Sequence, residues 1–362
     1  MKQSLFSFFN YQAPLRRELS HVAECLIYKK ILITGAGGSI GLALGQEICK
    51  FKPLSLILLE NTENNLFFIE HELSDFSAGV NIVPILGDIN DDTLLDNVFK
   101  KYSPEIIFHA AAFKHVSILE HHPMSAIENN VLGTYALAKK AVRYQSEKLV
   151  MLSTDKAVNP LSIMGASKRI AELILSGLAT DKTSLMAVRF GNVIGSRGSV
   201  IPIFSEKIKQ KKPLSVTDPA ASRYFLTMIE AVNYVFESSC LGNPGDILIP
   251  DLREPVSILE LAEHLIRESG LIPYQDIPIV FTGLRDGEKK QEELIYAGEE
   301  PLQTEIKGIR RIIPPKDSSA KVEQWIKSLE ECLKQRNIQN LIKSVCRIVP
   351  EYQPSQTILN AD

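Results

Sequence analysis

Six short apolar runs alternate with stretches of helical periodicity through the first half of the chain. The runs are residues 30–34, 54–59, 81–86, 106–109, 149–153 and 185–190; the stretches between them are 41–51, 64–76, 94–102, 125–144 and 166–178. A strand with apolar residues at every position is buried on both faces, which happens where helices cover both sides of a parallel sheet. The pattern predicts an α/β fold with a doubly wound parallel sheet. At 362 residues, 45% hydrophobic and 23% charged, the chain is long enough for such a sheet and a second, smaller unit.

Thr34-Gly35-Ala36-Gly37-Gly38-Ser39-Ile40-Gly41 ends the first run and opens the first helix. The first glycine permits a tight turn. The later ones let backbone and helix approach a pyrophosphate seated on the helix N-terminus. The spacing of Gly35, Gly38 and Gly41 is the T-G-x-x-G-x-x-G form found in short-chain dehydrogenases, with Ser39 and Ile40 inside it. Glu60 ends the second run about 20 residues further on, where a carboxylate accepts hydrogen bonds from an adenine ribose. It repels a 2′-phosphate, and no arginine is near it in the sequence, so NAD is expected rather than NADP. Asp88 and Ile89 follow the third run, within reach of the adenine. Ala110, Ala111 and Ala112 follow the fourth, small enough to lie flat against the cofactor.

Ser153-Thr154-Asp155-Lys156 follows the fifth run, and Met164-Gly165-Ala166-Ser167-Lys168-Arg169 comes soon after. A Tyr-x-x-x-Lys pair belongs here in a short-chain dehydrogenase; Lys168 is present, but Met164 holds the tyrosine position. Tyr144 and Lys148 match the motif literally, yet they precede the fifth strand, away from the cofactor edge, and are read as a decoy.

These motifs resemble the extended short-chain dehydrogenase/reductases, and among them the CapD-like nucleotide-sugar 4,6-dehydratases. The resemblance runs from about residue 30 to about residue 312. It also rests on His109 to Val116, Asn130-Val131-Leu132-Gly133-Thr134, Arg189-Phe190-Gly191-Asn192-Val193, residues 195–202, Arg223-Tyr224-Phe225 and Gly283 to Lys289. It implies a Rossmann-type fold with a smaller C-terminal substrate-binding domain. It also implies a cytoplasmic enzyme that takes UDP-N-acetylglucosamine to a 4-keto-6-deoxy sugar through a transient NADH, with retention at C5, for surface polysaccharide or glycan synthesis. In that reaction Asp155 takes the O4 proton, directly or through Thr154, and returns it to the departing 6-hydroxyl. Lys156 removes the C5 proton. Lys168 holds the nicotinamide ribose, and Asn130 joins the cofactor set. Met164 cannot move a proton, which is why the task passes to Asp155. Lys114, Asn192, Arg223, Arg285 and Glu288 are the expected substrate ligands, guanidinium suiting paired phosphate oxygens. Asp286, Arg253, Lys290 and Gln291 depart from the family pattern, Asp286 standing where proline is usual.

The domain boundaries follow. Residues 1–29 are an N-terminal segment. Residues 30–190 with about 226–250 form the NAD-binding domain, 191–225 with 251–315 the substrate domain, and 316–362 two C-terminal helices for packing or oligomerisation. A homo-oligomer is expected by analogy, through the helices at 125–144 and 166–178. The charge of −3 disfavours a general nucleic-acid binder, and no apolar run reaches the ~20 residues of a membrane span. Five scattered cysteines fit a reducing cytosol, and His115, His121 and His122 lack the partners of a metal site. The other readings are a 5-inverting dehydratase, a C4 epimerase and a non-catalytic NAD-binding regulator.

Overall fold

A computed structural model describes residues 8–9, 20–76, 79–315 and 317–360. The strands are β1 (Lys30–Thr34), β2 (Ser55–Glu60), β3 (Asn81–Leu86), β4 (Ile106–His109), β5 (Lys148–Leu152), β6 (Ser184–Val188), β7 (Ile247–Pro250), β8 (Leu302–Gln303) and β9 (Ile309–Ile312). They form one sheet in the order β8-β9-β7-β6-β5-β4-β1-β2-β3. The strands from β1 to β7 are parallel. β2 is buried at every position, whereas β3 alternates as an edge strand does. Pro84 is accommodated there because an edge strand leaves one row of N–H groups unpaired.

All six predicted runs lie on strands, and β7 is a seventh parallel strand beyond them. β8 and β9 carried no strand expectation. They pair antiparallel, β9 against β7, so this stretch extends the main sheet although its sequence lies within the segment counted above with the substrate domain.

The helices are α1 (Ser39–Lys50), α2 (Glu63–Ser74), α3 (Asp92–Tyr102), α4 (Gly133–Arg143), α5 (Ile163–Leu178), α6 (Met228–Leu241), α7 (Ile258–Glu268), α8 (Ser319–Lys334) and α9 (Ile338–Ile348). Several of them start on a side-chain cap. Asp91 accepts from Leu94 N–H, Ser162 from Gly165 N–H, and Thr227 and Glu230 form a reciprocal box at α6. Two apolar layers lie on opposite faces of the sheet, around Leu44, Phe108 and Phe236 on one side and Leu32, Phe99 and Leu149 on the other. A separate core joins Phe204, Leu214, Phe225, Leu261 and Leu265, and Phe9 from the N-terminal segment packs into it 5.2 Å from Phe225.

The C-terminal helices dock on α5. Ile163, Met164, Ile170 and Ile174 of α5 pack against Val322, Ile326 and Leu329 of α8 and Leu341 and Val345 of α9. This surface of α5, one of the two helices named above for oligomerisation, is thus covered by the chain's own C-terminal helices. Among the described residues no helix is long and apolar enough to cross a membrane.

Candidate active site

The sheet reverses its winding between β4 and β1, and the crevice outside the carboxyl ends of these strands is where open α/β sheets bind ligands. Gly35 turns there with φ +64°, and a Cβ on it would lie 2.7 Å from the Ala111 backbone. The turn and the Ala110–Ala112 backbone therefore face each other with no room for side chains. Gly38 caps α1 without a side-chain hydrogen bond, and the first turn carries no acidic residue. Its amides are left for an anion. Glu60 is buried, accepting from Gly37 N–H at 2.9 Å and Thr62 N–H at 3.1 Å. A carboxylate has about four lone-pair sites, so two remain for ribose hydroxyls. Ile89 and the three alanines line the same crevice as Gly35, Gly38 and Glu60. These residues fit a dinucleotide.

Two residues of the expected cofactor set also have protein partners. The Asp88 carboxylate is engaged with Asn90 and Asn61, which holds the turn after β3. Asn130 is fully buried, its amide bonded to Phe113 N–H and C=O and to the Ser167 hydroxyl, so it braces the alanine loop from behind. No arginine lies near Glu60 along the sequence, but folding brings Arg197 to Gly37, whose N–H donates to Glu60. Arg197 reaches Asn65 Oδ1 at 3.1 Å and the Gly37 carbonyl, while its own N–H donates to Ser39 Oγ.

Thr154, Asp155 and Lys156 leave the end of β5. Asp155 is fully buried. Its Oδ1 accepts from Thr154 Oγ1 and Lys156 Nζ, each at 2.9 Å, while Oδ2 is buried without a partner. Lys156 Nζ also lies 3.4 Å from Glu292 Oε1, and Glu292 Oε2 is likewise buried and unpaired. Burial alone would lower the Lys156 pKa; the Asp155 and Glu292 carboxylates override it and hold the ammonium above the ordinary lysine range. Burial raises the Glu292 carboxyl despite the nearby Lys156 charge.

Lys168 is buried, and that brings its pKa down to about 8, with Glu172 opposing. Among the described residues no carboxylate lies within 4.0 Å of its Nζ, which leaves the ammonium for a ligand oxygen. His109 is brought down to about 3 by burial and by the Lys168 charge; its neutral ring bridges Thr34 at 2.7 Å and Thr134 at 2.9 Å. Met164 is buried in the apolar cluster under α8 and α9 and serves packing. The decoy pair sits apart, Tyr144 bonding Asp96 and Lys148 the Ser239 carbonyl.

The expected substrate residues are partly gathered. Residues 285–293 run beside the loop after β5: Lys289 Nζ donates to the Val158 carbonyl at 2.7 Å, and Gly287 approaches so closely that a Cβ would sit 2.8 Å from Ser162 Cβ. Arg285 and Glu288 share one turn there. Arg223 faces Glu292 at 3.8 Å and donates to the Lys290 carbonyl, so its guanidinium belongs to the floor around Lys156. Lys114 donates to the Arg197 carbonyl at 2.9 Å, beside the glycine loop. Asn192 pairs in register with Phe225, two residues after Arg223.

Sequence reasoning missed Glu292. Its segment is anchored by fully buried Arg189, which donates twice to Glu172, twice to Glu299 and once to the Leu294 carbonyl. Asp286 is explained as well: its carboxylate accepts from Thr357 N–H and hydroxyl, fastening the C-terminal segment to this loop.

Residues 31–314 match the family described as polysaccharide biosynthesis protein. The capsular polysaccharide biosynthesis protein CapD of Staphylococcus aureus is 41% identical over 333 residues, 91% of this chain and 54% of that one. The chain therefore spans about half the length of this relative. A UDP-glucose 4-epimerase of Rickettsia rickettsii is 33% identical over 292 residues, 78% of this chain and 82% of that one. The X-ray structure of Pen from Bacillus thuringiensis superposes with a TM-score of 0.73 at 30% identity, covering 81% of this chain and 89% of that one.

Proposed function

The chain belongs to the polysaccharide biosynthesis protein family, within the extended short-chain dehydrogenase/reductases, and from that premise we propose that it is an NAD-dependent UDP-N-acetylglucosamine 4,6-dehydratase retaining configuration at C5. The coarser reading is a nucleotide-sugar dehydratase or epimerase of polysaccharide synthesis. The observation that supports the finer one is the pairing of buried Asp155 with half-buried Lys156, which leaves Asp155 Oδ2 without a partner. An epimerase, the reading favoured by the Rickettsia relative, removes and returns one proton at O4. It has no use for a second acid–base group beside the first.

When bound, NAD stores the two electrons taken from C4 until they are returned at C6. Asp155 Oδ2 accepts the O4 proton, directly or through Thr154. Lys156 takes the C5 proton, which the new ketone acidifies. Asp155 then protonates the departing 6-hydroxyl, and water leaves. Lys168 orients the cofactor ribose, and burial of Asp155 and Glu292 keeps bulk water from the acid–base groups. Arg285 and Glu288 bind the nucleotide from their shared turn. Incubation with UDP-N-acetylglucosamine and NAD, read by mass spectrometry, tests this. A product lighter by one water supports it, and unchanged substrate with NAD bound contradicts it.

A further inference from the structure

The dehydratase reading requires a neutral Lys156 at the moment it draws a proton from C5. The site holds Lys156 in the opposite state, as an ammonium between two buried carboxylates, Asp155 at 2.9 Å and Glu292 at 3.4 Å. Something must take its proton. Asp155 is already occupied by the O4 proton at that step. Glu292 has one oxygen toward Nζ and the other, Oε2, buried and unpartnered. Its side chain is 2% exposed and its segment is fixed at both ends, by Lys289 on Val158 and by Leu294 on Arg189.

We propose that Glu292 is the proton-accepting partner of Lys156, taking the Nζ proton that Lys156 must shed before it deprotonates the sugar. This rests on the dehydratase reading. The charged groups facing Glu292 are Asp155 and Lys156 from the loop after β5, Arg223 from the strand Ser222–Arg223, and Lys289 on its own segment. When the O4 proton reaches Asp155, one of the two negative charges holding Lys156 as an ammonium disappears. An N–H bond of Lys156 then breaks as an O–H bond forms on Glu292, and the ion pair becomes a neutral pair with no change in total charge. Next the C5–H bond breaks and the N–H bond re-forms. The electron pair left on carbon expels the 6-hydroxyl, which takes the Asp155 proton and leaves as water. Lys156 later returns a proton to C5, and Glu292 restores the one it held. Burial, which raises the Glu292 carboxyl, favours this exchange.

The test compares the wild type with Glu292→Gln, an isosteric change, across pH in D₂O with UDP-N-acetylglucosamine and NAD. Reduced-cofactor absorbance reads C4 oxidation; C5 deuterium and the 6-methyl signal read elimination. An internal transfer predicts a wild-type elimination rate that is flat through neutral pH. In Glu292→Gln the rate should fall ~10²-fold or more at pH 7 and climb with pH at unit slope, because solvent must now take the Lys156 proton. C4 oxidation should persist. A variant whose pH profile parallels the wild type, or one faster at neutral pH because Lys156 has lost a stabilising anion, overturns the proposal. Should Glu292→Gln fail to fold, Glu292→Asp keeps the carboxyl at a longer reach: a slower but flat profile supports the proposal, and a wild-type rate overturns it. A wild type that eliminates nothing removes the dehydratase reading, and this proposal with it. That result differs from a working enzyme indifferent to Glu292.

Discussion

Lys156 Nζ lies 2.9 Å from Oδ1 of Asp155, while Oδ2 of the same carboxylate is buried without a partner. In the proposed reaction one oxygen holds the base in place and the other serves the substrate. Asp155→Asn keeps the shape and removes the acid. Turnover should fall by ~10²–10⁴-fold, the usual range for one acid–base role. NAD should remain bound, since the crevice around Gly35 and Glu60 is untouched. Product formation together with nucleotide retained through gel filtration checks both halves. Near-normal turnover would remove Asp155 from the reaction.

Gly35→Ala should damage cofactor binding more than the rest of the fold. A Cβ at φ +64° costs about 1–2 kcal/mol, and here it also meets the Ala111 backbone at 2.7 Å. The loop must move away from Ala110–Ala112, opening the crevice. Calorimetry should show NAD affinity lower by at least roughly tenfold, and added NAD should no longer raise the melting temperature.

Asp286→Ala tests the fastening of the C-terminal segment. Thr357 N–H donates to Asp286 at 3.0 Å and its hydroxyl bonds the same oxygen. Without that acceptor, hydrogen exchange at Thr357 and Ile358 should quicken, while α8 and α9 stay protected by their apolar contacts with α5. Unchanged exchange would show that Ser355, bonded to Glu120, holds the segment alone.

The Arg189–Glu172 pair sets an acid limit on stability. Burial pushes the Glu172 carboxyl up, but the Arg189 and Arg169 guanidiniums override it and bring it down to about 2. A depressed carboxyl contributes stability in full above its unfolded pKa and loses it as pH falls through the folded one. Denaturant midpoints should therefore drop between about pH 4.5 and about pH 2. In Glu172→Gln the wild-type protein's extra stability near neutral pH should be missing and that part of the acid slope flattened. The stranded Arg189 charge makes this a large loss.

The strands and the glycine loop were legible because their signals are local. An apolar run such as 54–59 needs no partner to be recognised, and Gly35, Gly38 and Gly41 carry their spacing within one turn. Asp155 and Lys156 were visible for the same reason, being adjacent at the end of a strand. Glu292 was not, because it reaches Lys156 only through a segment pinned to Arg189, and no local pattern separates it from Glu293. Arg197 escaped notice beside the glycine loop because tertiary folding alone brings it there. Met164 shows the converse. Its place in the motif marked a missing tyrosine, but its surroundings were set by α8 and α9, whose periodicity was plain and whose docking partner was not.

The most direct test of the dehydratase assignment is proton NMR of the purified protein with UDP-N-acetylglucosamine and NAD in D₂O. A retaining dehydratase gives a new 6-methyl signal, deuterium at C5, and ring couplings of retained configuration. Inverted couplings with the same methyl signal would correct the stereochemistry alone. A substrate epimerised at C4, or left unchanged with NAD bound, would contradict the elimination chemistry assigned to Asp155 and Lys156.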